Sequence, residues 1–64
     1  MAQGYYADVV AELKTMGFRF VRMAKGSHEI WANDAGRQTT VPHNLKSRHT
    51  ANAILKGCGS SRKL

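Results

Sequence analysis

The residues best suited to chemistry are the four consecutive positions Lys25-Gly26-Ser27-His28. Glycine lets a backbone turn tightly and aim successive N–H groups at an anion, while Lys25 and Ser27 add a cation and a hydroxyl. His28 contributes an imidazole, which exchanges a proton near neutral pH. Together they make a set suited to holding phosphate and moving a proton. As a bare motif the tetrapeptide is common, and two plainer readings of His28 stay open. It could be a surface residue bonded to a neighbouring carbonyl, or it could be half-buried, because it shares strand parity with Ile30.

Other chemistries fit less well. His28, His43 and His49 are separated by 15 and 6 residues, which matches no zinc pattern, and the one cysteine, Cys58, lies far along the chain. No metal or other cofactor is expected. No glycine-rich loop precedes a Lys-Ser/Thr pair, no dinucleotide fingerprint occurs, and the four acids fall in segments with helix-face or turn roles. His43, after Pro42, reads as a solvated loop residue in a stretch basic enough to touch a phosphate. Cys58 reads as a core thiol and Trp31 as a structural aromatic rather than a base-stacking one.

The elements that position these residues follow from hydrophobic spacing. Tyr6, Val9, Val10, Leu13 and Met16 recur at helical intervals and Gly17 supplies a stop, which predicts a first helix over residues 6–16. Residues 18–23, Phe-Arg-Phe-Val-Arg-Met, are rich in aromatic and β-branched types, but Phe20 and Val21 break the alternation, so a bulged strand is expected. The turn at Lys25-Gly26-Ser27 leads to a second strand over 28–33, and the turn at 33–36 leads to a third over 37–41, closed by Pro42. Ala51, Ile54, Leu55 and Cys58 mark the apolar face of a second helix, capped at Ser47 or Thr50 and ended by Gly57 and Gly59. The expected fold is α+β: an α-β-β-β-α two-layer sandwich in which both helices cover one face of a three-stranded antiparallel sheet. Residues 1–59 form a single domain, and residues 60–64 read as a loose basic tail.

Sixty-four residues carrying ten Lys/Arg against four Asp/Glu give a formal charge of +6. A domain of this length cannot enclose a large active site, so function must lie on its surface. Residues 1–34 balance at four basic and four acidic side chains, whereas residues 35–64 hold six basic side chains and no acid. A one-sided basic surplus suits a phosphate-rich partner, since each neutralised phosphate releases counterions. No apolar run reaches the roughly 20 residues of a membrane span, and residues 1–6 lack the features of a signal peptide, so a cytoplasmic location without membrane association is expected.

As an ordered set, Gly17-Phe18, Val21-Arg22, Lys25-Gly26-Ser27-His28, Ile30-Trp31, Thr40-Val41-Pro42-His43, Thr50, Ile54-Leu55-Lys56 and Gly59 resemble the HicA mRNA interferase toxins of toxin–antitoxin pairs. The resemblance covers about residues 6–59. It implies a fold like that of double-stranded-RNA-binding domains, and an endoribonuclease that cuts mRNA with relaxed sequence preference and blocks translation. It also implies a cognate HicB antitoxin that covers the active site. The family's essential histidine corresponds to His28 here. The chain departs from the family in having Glu29 where a second His or an aromatic is frequent, and His49 where a glycine often precedes the last helix. With His28 as general acid or base, Lys25, Gly26, Ser27, Arg22, His43, Lys46, Arg48 and Lys56 are the residues expected to hold RNA phosphate. Water, His43 or the RNA itself could supply a second proton-transfer group. The alternative reading is a non-catalytic RNA-binding module of the same fold.

Overall fold

The computed structural model describes residues 4–64, so residues 1–3, the start of the expected domain and of its N-terminal stretch, lie outside the described residues. The order is α1 (Tyr6–Thr15), β1 (Arg19–Met23), β2 (His28–Ala32), β3 (Gln38–Pro42) and α2 (Arg48–Gly57). The strands form one antiparallel sheet in the order β1-β2-β3, with β2 central. This is the small α+β fold anticipated from spacing and turn chemistry, with boundaries shifted by a residue or so.

Both helices end by the same device. After α1, Phe18 N–H donates to the Leu13 carbonyl at 2.9 Å and Gly17 N–H to that of Lys14 at 3.1 Å. After α2, Ser60 and Gly59 make the matching bonds to Leu55 and Lys56. Such a termination needs a left-handed residue just past the helix, and Gly17, at φ 85°, supplies it. At the start of α2 the Ser47 hydroxyl accepts the Thr50 N–H at 3.2 Å, which selects Ser47 as the cap.

Pairing between β1 and β2 slips between Phe20 and Arg22, leaving Val21 as the extra residue of a bulge. The bulge resets the alternation, so that Phe20 and Met23 register with Trp31 and Glu29, while Arg19 and Arg22 register with Ala32 and Ile30. One sheet face packs Trp31 and Val41 against Val9 and Leu13 of α1 and Ala51 and Leu55 of α2, with Val10, Phe18, Leu45 and Cys58 completing the core. The other face is open. Arg37 N–H groups reach the Gly57 carbonyl at the end of α2, and Arg19 pairs with Asp34 on the surface at 2.7 Å.

The last residues differ from the loose tail expected. Ser60 Oγ donates to Glu12 at 3.0 Å, Leu64 N–H donates to Asn52 Oδ1 at 2.7 Å, and the Leu64 side chain packs against the core. The capped turn after α2 directs the chain back along that helix, where Asn52 supplies the hydrogen-bonding group that composition did not advertise. Pro42 also differs: it remains in the ladder opposite His28 at the sheet edge, where its missing N–H costs no interior bond.

Candidate active site

The strand β2 alternates exposed, buried, half-buried, buried, half-buried. His28 and Ile30 therefore face the open side of the sheet, and Glu29 and Trp31 face the helices. His28 is exposed at the end of the ladder, so sharing parity with Ile30 does not bury it. Its carbonyl accepts the Ala24 N–H at 2.7 Å, which closes a hairpin turn around Lys25-Gly26-Ser27. Gly26 adopts φ 69°, and a Cβ there would meet only open space. Glycine is thus required by the turn and not by crowding.

His28 Nδ1 lies 3.2 Å from the Lys25 carbonyl oxygen. A carbonyl only accepts, so in the neutral ring this contact puts the proton on Nδ1 and the lone pair on Nε2. Arg22, registered with Ile30, lies on the same open face, diagonally across from His28. The exposed Lys25 stands in the turn. His43 N–H donates to the Ser27 carbonyl at 2.8 Å, which fastens the loop after β3 to this turn. The fold therefore gathers Arg22, Lys25, Gly26, Ser27, His28 and His43 at one end of the sheet. Lys46 and Arg48 are exposed on the chain that leads from His43 into α2. Lys56 is placed elsewhere, in a groove on the outer side of α2 with His49, Asn52, Arg62 and Lys63.

Sequence spacing did not anticipate Glu29. Rather than occupying a helix face or a turn, its carboxylate is buried under α1, with 6% of the residue exposed. Three groups donate to it: Trp31 Nε1 at 2.9 Å, the Tyr6 hydroxyl at 2.8 and 3.0 Å, and His43 Nδ1 at 3.2 Å. Burial alone would push the Glu29 carboxyl up, but the bonds from Trp31, Tyr6 and His43 and the charge of His43 outweigh it and hold the group below its usual range. Burial, the bond to Glu29 and the nearby negative charge push the Tyr6 phenol up to about 12, so it stays a donor.

His43 is correspondingly less free than a solvated loop residue. Its ring lies 4.8 Å from that of Tyr6, centroid to centroid, and its Nδ1 is engaged by Glu29, while 65% of the side chain remains exposed. The Tyr5 N–H donates to the Leu45 carbonyl at 2.7 Å, which brings the start of α1 to this loop and sets Tyr6 beside His43. One sequence signal could have revealed the cluster: Glu29 shares the parity of Trp31 and so had to face the core. Among the described residues no group of three or more His, Cys, Asp or Glu is arranged to hold a metal ion, and no helix is long and apolar enough to cross a membrane.

No curated protein and no solved structure matches the chain. A family model described as the HicA toxin of bacterial toxin–antitoxin systems matches residues 6–59, from the first residue of α1 to the glycine that terminates α2. That span contains every element of the fold and both imidazoles at the end of the sheet, and the chain belongs to the HicA toxin family.

Proposed function

We propose that this toxin is an endoribonuclease that cuts mRNA with relaxed sequence preference, and so blocks translation, with His28 as its central proton-transfer group. The observation that carries the reading is the His28 imidazole, exposed beside a basic turn and tethered through Nδ1 to the Lys25 carbonyl at 3.2 Å. A ring so held offers Nε2 as a base to the ribose 2′-hydroxyl. The 2′-oxygen then attacks the adjacent phosphorus and the bond to the 5′-oxygen breaks, giving a 2′,3′-cyclic phosphate and a 5′-hydroxyl end. Lys25 and Arg22 flank the ring and stabilise the charge that builds on the phosphate, with the Gly26 and Ser27 backbone offering further donors. Lys46, Arg48 and His43 extend the positive surface along the next loop, and Lys56 offers a contact on the outer side of α2. The chemistry needs no metal.

Membership of the family supports a cognate antitoxin of the HicB type, which would silence the toxin by covering the His28 end of the sheet. The test is direct. The chain is incubated with single-stranded mRNA in the presence of a chelator, and new ends are mapped. New 5′-hydroxyl and cyclic-phosphate ends are expected, together with growth arrest on expression in cells. Salt-dependent RNA binding without new ends would overturn the reading in favour of a non-catalytic RNA-binding module.

A further inference from the structure

In-line cleavage of RNA moves two protons: one leaves the 2′-hydroxyl and one joins the departing 5′-oxygen. Each transfer is faster when a positioned side chain performs it. His28 Nε2 fits the first. The environment of the second imidazole is different in kind. His28 bonds a neutral carbonyl, whereas His43 bonds an ionised carboxylate that is itself locked by Trp31 Nε1 and the Tyr6 hydroxyl. Among the described residues no Lys or Arg bonds the Glu29 carboxylate, so His43 is the one of its three donors that can carry a positive charge. An imidazolium donating to a carboxylate is a charge-assisted pair. With Nδ1 on Glu29, Nε2 is the ring nitrogen left to exchange a proton with a ligand, on a side chain that is 65% exposed.

The placement of the two rings suits in-line geometry. His28 is opposite Pro42 in the ladder, and the next step outward joins Ser27 to His43 through the 2.8 Å bond from His43 N–H. Successive ladder positions project side chains to opposite faces, so His28 stands on the open face and His43 on the helix face of the same sheet end. In-line displacement likewise puts the attacking and departing oxygens on opposite sides of phosphorus. A phosphate at the sheet end would have one imidazole on each side.

We propose that Glu29 and His43 form a carboxylate–imidazole dyad that supplies the second proton of the cleavage reaction, His43 Nε2–H protonating the departing 5′-oxygen. The inference rests on the reading of His28 as the base. In the step, the 2′-hydroxyl proton passes to His28 Nε2, the bond from the 2′-oxygen to phosphorus forms, and the bond from phosphorus to the 5′-oxygen breaks. The electron pair of that bond stays on the 5′-oxygen, which takes the Nε2 proton of His43. Water returns both rings to their starting protonation. Glu29 is a positioning residue that fixes the Nδ1 proton and ring angle, and Tyr6 and Trp31 hold Glu29 in turn.

The experiment compares two RNA substrates identical but for the bridging 5′-atom at one cleavage site, oxygen in one and sulfur in the other. A thiolate departs without protonation, so a sulfur substrate bypasses the general acid and leaves the need for a base untouched. On the oxygen substrate, His43→Ala is expected to lose about 10²- to 10⁴-fold in cleavage rate. On the sulfur substrate it should return to within about tenfold of the unsubstituted protein, while His28→Ala stays deficient on both. His43→Ala leaves the Trp31 and Tyr6 donors on Glu29, and its fold is checked by circular dichroism before assay, with His43→Gln as the second variant. Full activity of His43→Ala on oxygen, or an equal loss on both substrates, would overturn the dyad while leaving the ribonuclease reading intact. Failure of the unsubstituted chain to cleave either substrate would overturn both.

Discussion

Replacing Glu29 with alanine removes an acceptor shared by three donors, and the burial of those donors sets the cost. Trp31 is 4% exposed, so its indole N–H loses the acceptor it has at a buried position once the carboxylate is gone. An orphaned buried donor costs about 1–3 kcal/mol. The Tyr6 hydroxyl is half-buried and His43 is exposed, so both can recruit water and add less. Removing the carboxylate also relieves its own desolvation, which offsets part of the loss. The balance is a destabilisation of about 2 kcal/mol. A domain of this size has a total stability on the order of 3–10 kcal/mol, and about 2 kcal/mol lowers its Tm by roughly 8–16 °C. Asp34→Ala is the comparison, because it breaks only the exposed pair with Arg19 and should cost no more than about 0.5 kcal/mol. Glu29→Gln keeps an oxygen for Trp31 Nε1 and should fall between the two. Thermal unfolding followed by circular dichroism at neutral pH ranks the three variants. A Glu29→Ala protein that melts no lower than Asp34→Ala would refute the buried network as a source of stability.

The depressed carboxyl of Glu29 also sets the response to acid. Its contribution to stability is present above the ordinary carboxylate range and is lost as pH falls through its lowered folded value, because the unfolded chain binds the proton first. Urea midpoints measured from neutral to acid pH should therefore decline less steeply in Glu29→Gln than in the unsubstituted protein. RNA affinity should fall as salt rises, and Lys25→Gln and Arg48→Gln should each flatten the slope of log K against log salt by about 0.7 if each touches a phosphate of a single strand. An unchanged slope in both variants would contradict the basic-surface reading.

The fold was legible because its signals are local. Gly17 and Gly59 stand where left-handed caps are needed, Phe20 beside Val21 breaks the strand alternation where the bulge occurs, and turns of a few residues leave antiparallel pairing as the only geometry. The exposed turn with His28 was legible for the same reason, its residues being contiguous. The Glu29 cluster was not, because its members are distant in sequence. Tyr6 and Glu29 are 23 positions apart and His43 a further 14, and they meet only when the loop at Leu45 docks on the start of α1. Burial of an acid opposes its hydration, so an acidic side chain in a short strand reads as exposed until its donors are found. The return of the last five residues onto Asn52 and Glu12 was hidden likewise, since it depends on where the capped turn after α2 points the chain.

The most direct test of a His28-centred ribonuclease is the rate of RNA cleavage, in chelator, by a His28→Ala protein shown to be folded. His28 is exposed and its ring makes one hydrogen bond, to a turn carbonyl, so its removal should change stability by no more than about 0.5 kcal/mol. Loss of a proton-transfer group should instead lower the cleavage rate by about 10²- to 10⁴-fold, with RNA affinity largely retained. A well-folded His28→Ala protein that cleaves within about tenfold of the unsubstituted chain would contradict the assignment and leave His28 as a phosphate contact at most.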